Sequence, residues 1–323
     1  MSRRGEFDSI CSSNLKGGPM SKLPDATHLR QLATVIRCRS YAKAADVLGI
    51  SQPALSKSVL ALERELGVKL LERGRFGAVP TPFGEALARR SDAVDAELRI
   101  AREELRSLRN ARAGRVSIGC GPAEATRLLP LAIERLHARA PEVRVTVLYG
   151  LNAALLPMVR HGDVDFVLSS VPPRGRGNDL RQILLHEDRG VVIASPDHPL
   201  VRRGRPASLG EIAGERWVLA LDEELERRAL DEAFTANGVD VPVPAVETTS
   251  AVLMKRLVQQ SRSLSYVPRE LVHWDVERGL LSILNVVGIE WRRWVGVTHR
   301  ARSMLSPAAE ATLESLRFVA AKI

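Results

Sequence analysis

Three polar residues share one side of a segment with the pattern of a short helix. Gln52, Ser56 and Lys57 lie opposite an apolar series. A glutamine can form two hydrogen bonds with adenine, a serine can reach a base edge or a phosphate, and a lysine supplies charge for either. The apolar series recurs at steps of four, three and four residues: Leu55, Val59, Leu62 and Leu66. This spacing is typical of a helix whose polar side enters the major groove of DNA.

Three short helices are predicted to position these side chains. Residues 26–37 place apolar side chains at helical spacing, which predicts the first helix. Ser40 is suited to cap a second helix, and Gly49 is suited to end it in a left-handed conformation. Ser51 is suited to cap the third, where Pro53 is tolerated in the first turn. The pattern indicates a helix-turn-helix.

A β-ribbon with a glycine-rich tip is predicted over residues 72–81. In such a wing Arg73 and Arg75 would lie against phosphate or the minor groove, whereas in a plain hairpin they would merely be solvated. We favour the wing because of the helices that precede it. The predicted DNA contacts are Ser40, Ser51, Gln52, Pro53, Ala54, Ser56, Lys57, Arg64, Arg73, Arg75 and Thr81.

A long helix is predicted from Thr81, which is suited to cap it, to about residue 112. Its apolar residues follow a heptad pattern that is typical of a short coiled coil. An amphipathic helix packed on its own domain is the alternative, but DNA half-sites are usually bound by two-fold dimers, which favours a dimer seam. The predicted seam consists of Leu87, Val94, Leu98, Ala101, Leu105 and Leu108.

After residue 113 the pattern changes to alternating strands and helices, which predicts a parallel sheet with right-handed crossovers. The chain is expected to leave a first lobe near residues 185–189 and to return near 288–291, so that two open α/β lobes enclose a hinged cleft. Strands are predicted at residues 115–119, 143–148, 166–169, 190–195, 217–221, 243–247, 264–267 and 294–298, and helices near 151–161, 222–236, 250–261, 269–276 and 307–318.

Ligands of open α/β sheets bind beyond the carboxyl ends of the strands. This rule selects a set of neutral residues as the effector site: Gly121, Pro122, Ala123, Gly150, Leu151, Ser169, Ser170, Thr249, Ser250 and Val267. Helix N-termini present free N–H groups that suit an anion, so we expect a small organic acid, with sugars and sugar acids as the alternatives. Thr249 and Ser250 could instead serve only to cap their helix.

The sequence contains no complete catalytic motif of the kinds considered below. The Gly119-Cys120-Gly121 sequence follows a strand, but Glu124 occupies the third glycine position of a dinucleotide motif. Cys120 is interpreted as a small buried thiol. The clusters at residues 186–188 and 197–198 lack metal-ligand spacing and are interpreted as hinge and turn residues. We therefore expect neither an enzyme nor a metal or other cofactor.

The overall composition sets the remaining expectations. The 323 residues carry a net charge of +9, which favours polyanionic partners. The three cysteines, at 11, 38 and 120, form no CxxC pair, and no apolar run approaches the ~18 residues that cross a membrane, so a reduced cytoplasmic location is expected. Residues 1–21 are interpreted as a disordered extension, with Met20 as a candidate natural start.

The order of these parts resembles the LysR-type transcriptional regulators. The resemblance rests on the run AADVLGISQPALSK at 44–57, on LERELGVKLLER at 62–73, and on the PTPFG turn at 80–84. Weaker matches are LYG at 148–150 and GDVDF at 162–166. Leu71 and Pro80 depart from the family, which often has phenylalanine and leucine at these positions.

The resemblance implies a multidomain α plus α/β fold. A winged helix-turn-helix would occupy residues 22–80, a linker and dimerisation helix 81–113, and a two-lobed effector domain like the type 2 periplasmic binding proteins 114–323. Lobe I would comprise 114–187 and 289–323, and lobe II 188–288. The implied partners are promoter DNA, a small-molecule effector, RNA polymerase and further copies of the chain, as a homodimer or a dimer of dimers. The alternative is a solute-binding or enzymatic α/β protein whose helix-turn-helix contacts another protein.

Overall fold

The computed structural model describes residues 25–74, 77–109, 114–171, 179–301 and 304–323. The predicted extension at 1–21 therefore lies outside the described residues. The N-terminal part contains helices α1 (Ala26–Cys38), α2 (Tyr41–Leu48) and α3 (Gln52–Leu66), strands β1 (Leu71–Gly74) and β2 (Gly77–Pro80), and the long helix α4 (Pro82–Arg109).

The predicted caps of the helix-turn-helix are confirmed. The Ser40 hydroxyl accepts a hydrogen bond from the Lys43 N–H at the start of α2, and the Ser51 hydroxyl accepts one from the Ala54 N–H at the start of α3. Gly49 ends α2 with φ +66°, a left-handed conformation that a residue with a side chain adopts at a cost. These residues fix where each helix begins and where the turn between α2 and α3 lies.

One apolar core holds this three-helix unit together. The predicted stripe on α3 is buried, with Leu55 and Leu62 fully inaccessible, and it packs with residues of α1 and α2. Strands β1 and β2 pair antiparallel, with Leu71 opposite Pro80. The two departures from the family pattern thus face each other across the ribbon, at its base.

The C-terminal part alternates strands and helices as predicted. Its strands are β3 (Arg115–Cys120), β4 (Arg144–Tyr149), β5 (Phe166–Val171), β6 (Leu180–Ala194), β7 (Arg216–Leu219), β8 (Val246–Glu247), β9 (Ser263–Pro268), β10 (Ser282–Leu284) and β11 (Arg292–Arg300). Its helices are α5 (Leu128–Arg139), α6 (Asn152–His161), α7 (Pro199–Arg202), α8 (Leu209–Ala213), α9 (Leu225–Ala236), α10 (Ala251–Gln260), a 3-10 turn (Arg269–Val272), α11 (His273–Glu277) and α12 (Pro307–Ala320).

The sheet is mixed rather than purely parallel. Its strand order is β4-β3-β5-β11-β6-β9-β7-β8, with β10 paired to β6. Strand β3 is parallel to β4 and β5, and β7 is parallel to β8 and β9, as predicted. The prediction was wrong for β11, which runs antiparallel to both β5 and β6 because the chain returns to lobe I from the opposite direction.

The two lobes are joined by strands instead of loops. Strand β6 runs unbroken from Leu180 to Ala194, pairs with β11 in lobe I, and then pairs with β9 in lobe II. Residues 186–188, interpreted as hinge residues, lie within this strand at the crossing between the lobes. Asp188 lies inside β6, opposite Arg293 of β11. Backbone pairing at the crossing limits how the lobes can move.

Each lobe has its own apolar core. In lobe I, α5 and α12 cover one face of the sheet through residues such as Leu136 and Leu316. In lobe II, Trp217 and Phe234 pack edge to face with ring centroids 6.3 Å apart, and the Trp217 indole donates a hydrogen bond to the Ile212 carbonyl. Among the described helices, none is long and apolar enough to cross a membrane.

Candidate nucleic-acid interface and effector cleft

The first turn and outer face of α3 are accessible. Gln52, Pro53, Ala54 and Lys57 are exposed, and Ser56 is half-buried. These five residues share the side of α3 that faces away from the core, so they are free to approach a DNA groove together. Arg64, in the last turn of the helix, is also exposed.

The inner face of α3 is fixed by core packing and by a hydrogen bond to α1. Leu55, Val59 and Leu62 are buried in the core. The Ser58 hydroxyl donates a hydrogen bond to the Gln31 side chain of α1. A helix fixed in this way can present its polar residues in a constant geometry, which base recognition requires.

Glu63, a buried carboxylate that sequence reasoning missed, anchors the chain after α3. It accepts hydrogen bonds from the backbone N–H of Leu70 at 2.8 Å, from that of Leu71 at 3.3 Å, and from Lys69 Nζ at 2.9 Å. Burial by itself would raise the pKa of Glu63, but these hydrogen bonds outweigh it and lower the pKa below its usual value. Glu63 thereby fixes the start of the ribbon relative to α3.

Thr81, predicted to contact DNA, is a buried structural residue. Its hydroxyl donates to the Lys69 carbonyl at 2.7 Å and accepts from the Gly84 N–H at 3.2 Å. The hydroxyl caps α4, which confirms the predicted cap, whereas the burial of Thr81 does not support the predicted DNA contact. Ser40 and Ser51 likewise use their hydroxyls as caps. The side chain of Arg73 and the whole of Arg75 lie outside the described residues.

Two residues of the predicted dimer seam are exposed on α4. Val94 is 40% and Leu98 48% accessible, whereas Leu87 is partly buried against the core of the helix-turn-helix. The side chains of Ala101, Leu105 and Leu108 lie outside the described residues. The middle of α4 is joined to α1, because the Arg30 guanidinium donates to the Asp95 carboxylate through both Nε and Nη2.

A cavity of about 350 Å³ lies between the two C-terminal lobes. Lobe I contributes the turn after β3, the start of α6 and the end of β5, whereas lobe II contributes the start of α9 and the segment after β9. Seven of the ten residues predicted to bind the effector line it: Gly121, Pro122, Ala123, Gly150, Leu151, Ser169 and Ser170.

The remaining three predicted residues do not line this cavity. Ser250 caps α10, accepting a hydrogen bond from the Leu253 N–H, and Thr249 is exposed beside it. Val267 is buried in the core of lobe II. Strand β8, which precedes Thr249, lies at the edge of the sheet and is separated from β6 by β9 and β7. The cavity does lie at the carboxyl ends of strands, as predicted. However, Thr249 and Ser250 follow β8, which is too far from the strands that connect the two lobes.

The cleft is strongly charged, although every residue predicted to line it is neutral. Sequence reasoning missed four glutamates and one arginine in its lining: Glu124, Glu223, Glu224, Glu226 and Arg293. They come from the turn after β3, from the start of α9 and from the crossing strand β11. Because these residues are far apart in the sequence, the sequence alone does not show that they form a cluster.

Arg293 connects the cleft wall to the crossing strands. Its Nη2 donates to Glu124 Oε1 and to Asp188 Oδ2, both at 2.9 Å, and its Nε donates to Asp188 Oδ2 at 3.1 Å. The three side chains are nearly inaccessible. Each of the three charges has a counter-charge within hydrogen-bond distance, which offsets part of the cost of burying them, although the two carboxylates share one guanidinium.

The surroundings of the cleft also alter proton affinities. Burial raises the pKa of Glu226, whereas its own backbone N–H and the charge of Arg293 act in the opposite direction. Burial, reinforced by the nearby Glu124 carboxylate, raises the pKa of the Cys120 thiol far above its usual value. Cys120 therefore stays protonated, which disfavours a role as a nucleophile.

Comparisons with known proteins agree with this geometry. Residues 26–85 match the model of the bacterial regulatory helix-turn-helix protein of the lysR family, and residues 109–321 match the LysR substrate binding domain. The chain is 31% identical over 91% of its length to the RuBisCO operon transcriptional regulator of Allochromatium vinosum, of which it covers 96%. It is 30% identical over 97% of its length to the HTH-type transcriptional regulator GalR of Pseudomonas putida, of which it covers 79%.

The fold is also that of a solved regulator. A full-length OxyR variant from Pseudomonas aeruginosa aligns with a TM-score of 0.67 over 92% of this chain and 95% of its own, at 22% identity. The chain therefore belongs to the LysR family of transcriptional regulators, with an N-terminal helix-turn-helix DNA-binding domain and a C-terminal effector-binding domain.

Proposed function

We propose that this regulator recognises specific promoter sequences through α3 and that a small molecule in the inter-lobe cleft controls it. The observation that carries the proposal is the cavity of about 350 Å³ whose walls come from both lobes, beside the strands that connect them. A ligand that contacts both walls favours the lobe arrangement in which both contacts form. Only such a difference in affinity can shift the population between arrangements.

The DNA-binding part of the proposal rests on the exposed face of α3. Gln52 and Ser56 are placed to read base edges, and Lys57 and Arg64 to contact phosphates. Val94 and Leu98 on α4 supply an apolar surface for a second copy of the chain, so that two α3 helices could bind successive half-sites. We propose a homodimer or a dimer of dimers that acts on RNA polymerase at the promoter.

Two effector classes are compatible with the cleft. The start of α6 supplies free N–H groups, which supports the organic acid or sugar acid predicted from the sequence. The glutamates of the lining support a ligand that donates hydrogen bonds instead. The size of the cavity lies near the lower end of the ~300–1,000 Å³ found for ligand sites, which indicates a small effector.

A matched pair of variants on α6 tests the cleft. Ala153 lines the cavity, whereas its neighbour Ala154 is equally exposed but does not. Ala153→Phe should fill the site without disturbing the core, and Ala154→Phe is the control. Thermal unfolding of the full chain is followed with a panel of small amines, alcohols and carboxylic acids.

We expect at least one compound to raise the Tm of the wild type and of Ala154→Phe but not that of Ala153→Phe. Gel shifts with the DNA upstream of the chain's own gene then show whether that compound changes the complex. If the wild-type chain retards this DNA no more than scrambled DNA, the proposed regulator function is wrong. If no compound separates the two variants, the cleft is not the effector site.

A further inference from the structure

We infer that the effector carries a cationic amino group on a small apolar body, an inference that rests on the function proposed above for the inter-lobe cleft. Three features of the wall favour such a ligand: the charges that already have a partner, the hydrogen-bonding atoms that lack one, and the apolar remainder of the lining.

The positive charge of the wall is already engaged. Among the described residues that line the cavity, Arg293 is the one cation, and it donates to both Glu124 and Asp188. An anionic ligand that paired with this arginine would have to displace a buried carboxylate from it, leaving that carboxylate without a counter-charge. Such a displacement is unfavourable in a buried site.

The negative charge of the wall is only partly balanced. Glu226 stands at the start of α9, where its favourable partners are its own backbone N–H and the charge of Arg293, which Glu124 and Asp188 already share. Glu223 and Glu224 extend the acidic wall toward solvent. A ligand ammonium group would supply the counter-charge that Glu226 lacks.

Unpartnered polar atoms at the lobe I wall point to the same chemistry. Within the described part of the chain, Ser170 Oγ and Asn152 Oδ1 are buried without a hydrogen-bond partner, and both residues line the cavity. The Asn152 amide nitrogen already donates to the Ser170 carbonyl at 3.1 Å, so its remaining atom is an acceptor. An ammonium group offers three donors, whereas an ionised carboxylate offers none.

The rest of the lining is apolar and defines the body of the ligand. Leu151, Leu156, Leu225 and Leu271 line the cavity together with Pro122 and Pro268. Apolar surface of this kind gains free energy by covering hydrocarbon. The combination describes a small aliphatic or aryl amine rather than a fully polar cation.

The test uses matched probes that differ in one functional group. Putrescine, butanediol and succinate share a four-carbon skeleton, and phenethylamine, phenethyl alcohol and phenylacetate share an aryl one. Thermal shift and calorimetry are carried out on the full chain, on Glu226→Gln and on Glu232→Gln. Glu232 is the control because it is exposed on the same helix and does not line the cavity.

We expect an amine of one series to raise the Tm more than its alcohol, and the carboxylate to have no effect. Glu226→Gln should weaken amine binding by about tenfold, whereas Glu232→Gln should leave it unchanged. The Tm without ligand shows that both variants are folded.

Stabilisation by a carboxylate in place of its amine, or equal binding by the two variants, would overturn the inference and leave the cleft as the effector site. Absence of any shift by the amines would overturn it as well. In that case the comparison of Ala153→Phe with Ala154→Phe on α6 decides whether the cleft binds other compounds.

Discussion

Arg293 Nη2 lies 2.9 Å from Glu124 Oε1, although 169 residues separate the two in the sequence. The contact joins the turn after β3 to the strand that returns from lobe II. Asp188, on the neighbouring strand β6, completes the cluster from the other side. One buried guanidinium therefore holds together the wall of the cleft and both crossing strands.

Removal of Arg293 should destabilise the C-terminal domain. Arg293→Ala leaves Glu124 and Asp188 buried without their counter-charge, and loss of one partner from such a cluster typically costs about 3–5 kcal/mol. Arg292→Ala is the matched control, since Arg292 is the adjacent residue, is 74% exposed and pairs only with the surface residue Glu187 among the described residues. Arg292→Ala should lower the free energy of unfolding by less than about 1 kcal/mol. Urea unfolding of both variants checks this, and equal losses would contradict the role assigned to the cluster.

Glu63 should make the stability of the DNA-binding unit depend on pH. Its folded-state pKa lies below the usual 4.5, so its stabilising effect is present above that pH and is lost as the pH falls through the folded-state value. At neutral pH, Glu63→Gln should lose about 1–3 kcal/mol because it weakens hydrogen bonds to buried backbone N–H groups.

The difference between wild type and Glu63→Gln should shrink as the solution is acidified below pH 4.5. Thermal unfolding of both proteins at a series of pH values measures this difference in stability. Glu72→Gln serves as the control because Glu72 is exposed on β1. A difference that stays constant down to the acid transition would show that Glu63 acts through its shape and not through its charge.

Local patterns predicted the helix-turn-helix closely, because each of its signals acts over a few residues. Ser40, Gly49 and Ser51 set helix ends by hydrogen bonds and backbone conformation within one turn. The charged wall of the cleft could not be predicted in the same way, since Glu124 and Arg293 meet only after the sheet has formed. The structure also gives a reason for Gly121, since a side chain at 121 would collide with the Glu124 carboxylate. Similarly, the sequence did not show that the Thr81 hydroxyl is engaged, because its hydrogen bond to the Lys69 carbonyl forms only in the folded structure.

Thr81→Val should affect stability but not DNA recognition. The substitution removes a buried hydroxyl that caps α4, a loss of about 0.5–2 kcal/mol. Since the hydroxyl does not face solvent, the ratio of specific to non-specific DNA affinity should be unchanged for the folded protein. Fluorescence anisotropy with upstream and scrambled DNA measures the ratio. A fall in this ratio without loss of Tm would restore Thr81 as a DNA contact.

Gln52 should contribute to sequence-specific DNA binding, whereas Lys57 should contribute to the binding of any DNA sequence. Gln52→Ala should reduce affinity for the upstream DNA by about 1–3 kcal/mol and leave binding to scrambled DNA nearly intact, as expected for a base contact. Lys57→Ala should weaken both and reduce the slope of log affinity against log salt by about one. Titrations at several salt concentrations separate the two. An equal loss on all sequences from Gln52→Ala would count against its role in base recognition.

Leu98 should be required for self-association through α4. The side chain is 48% exposed and lies one turn beyond Val94 on the same helical face, an arrangement that leaves apolar surface accessible unless another chain covers it. Leu98→Asp places a charge in that surface and should shift the assembly toward smaller species by at least about tenfold in dissociation constant. Arg89→Asp introduces the same side chain at an exposed position of α4, beside Glu85 on another face, and should leave assembly unchanged. Sedimentation velocity over a range of concentrations distinguishes the variants. If Leu98→Asp sediments like the wild type at every concentration, the chain does not associate through this face of α4.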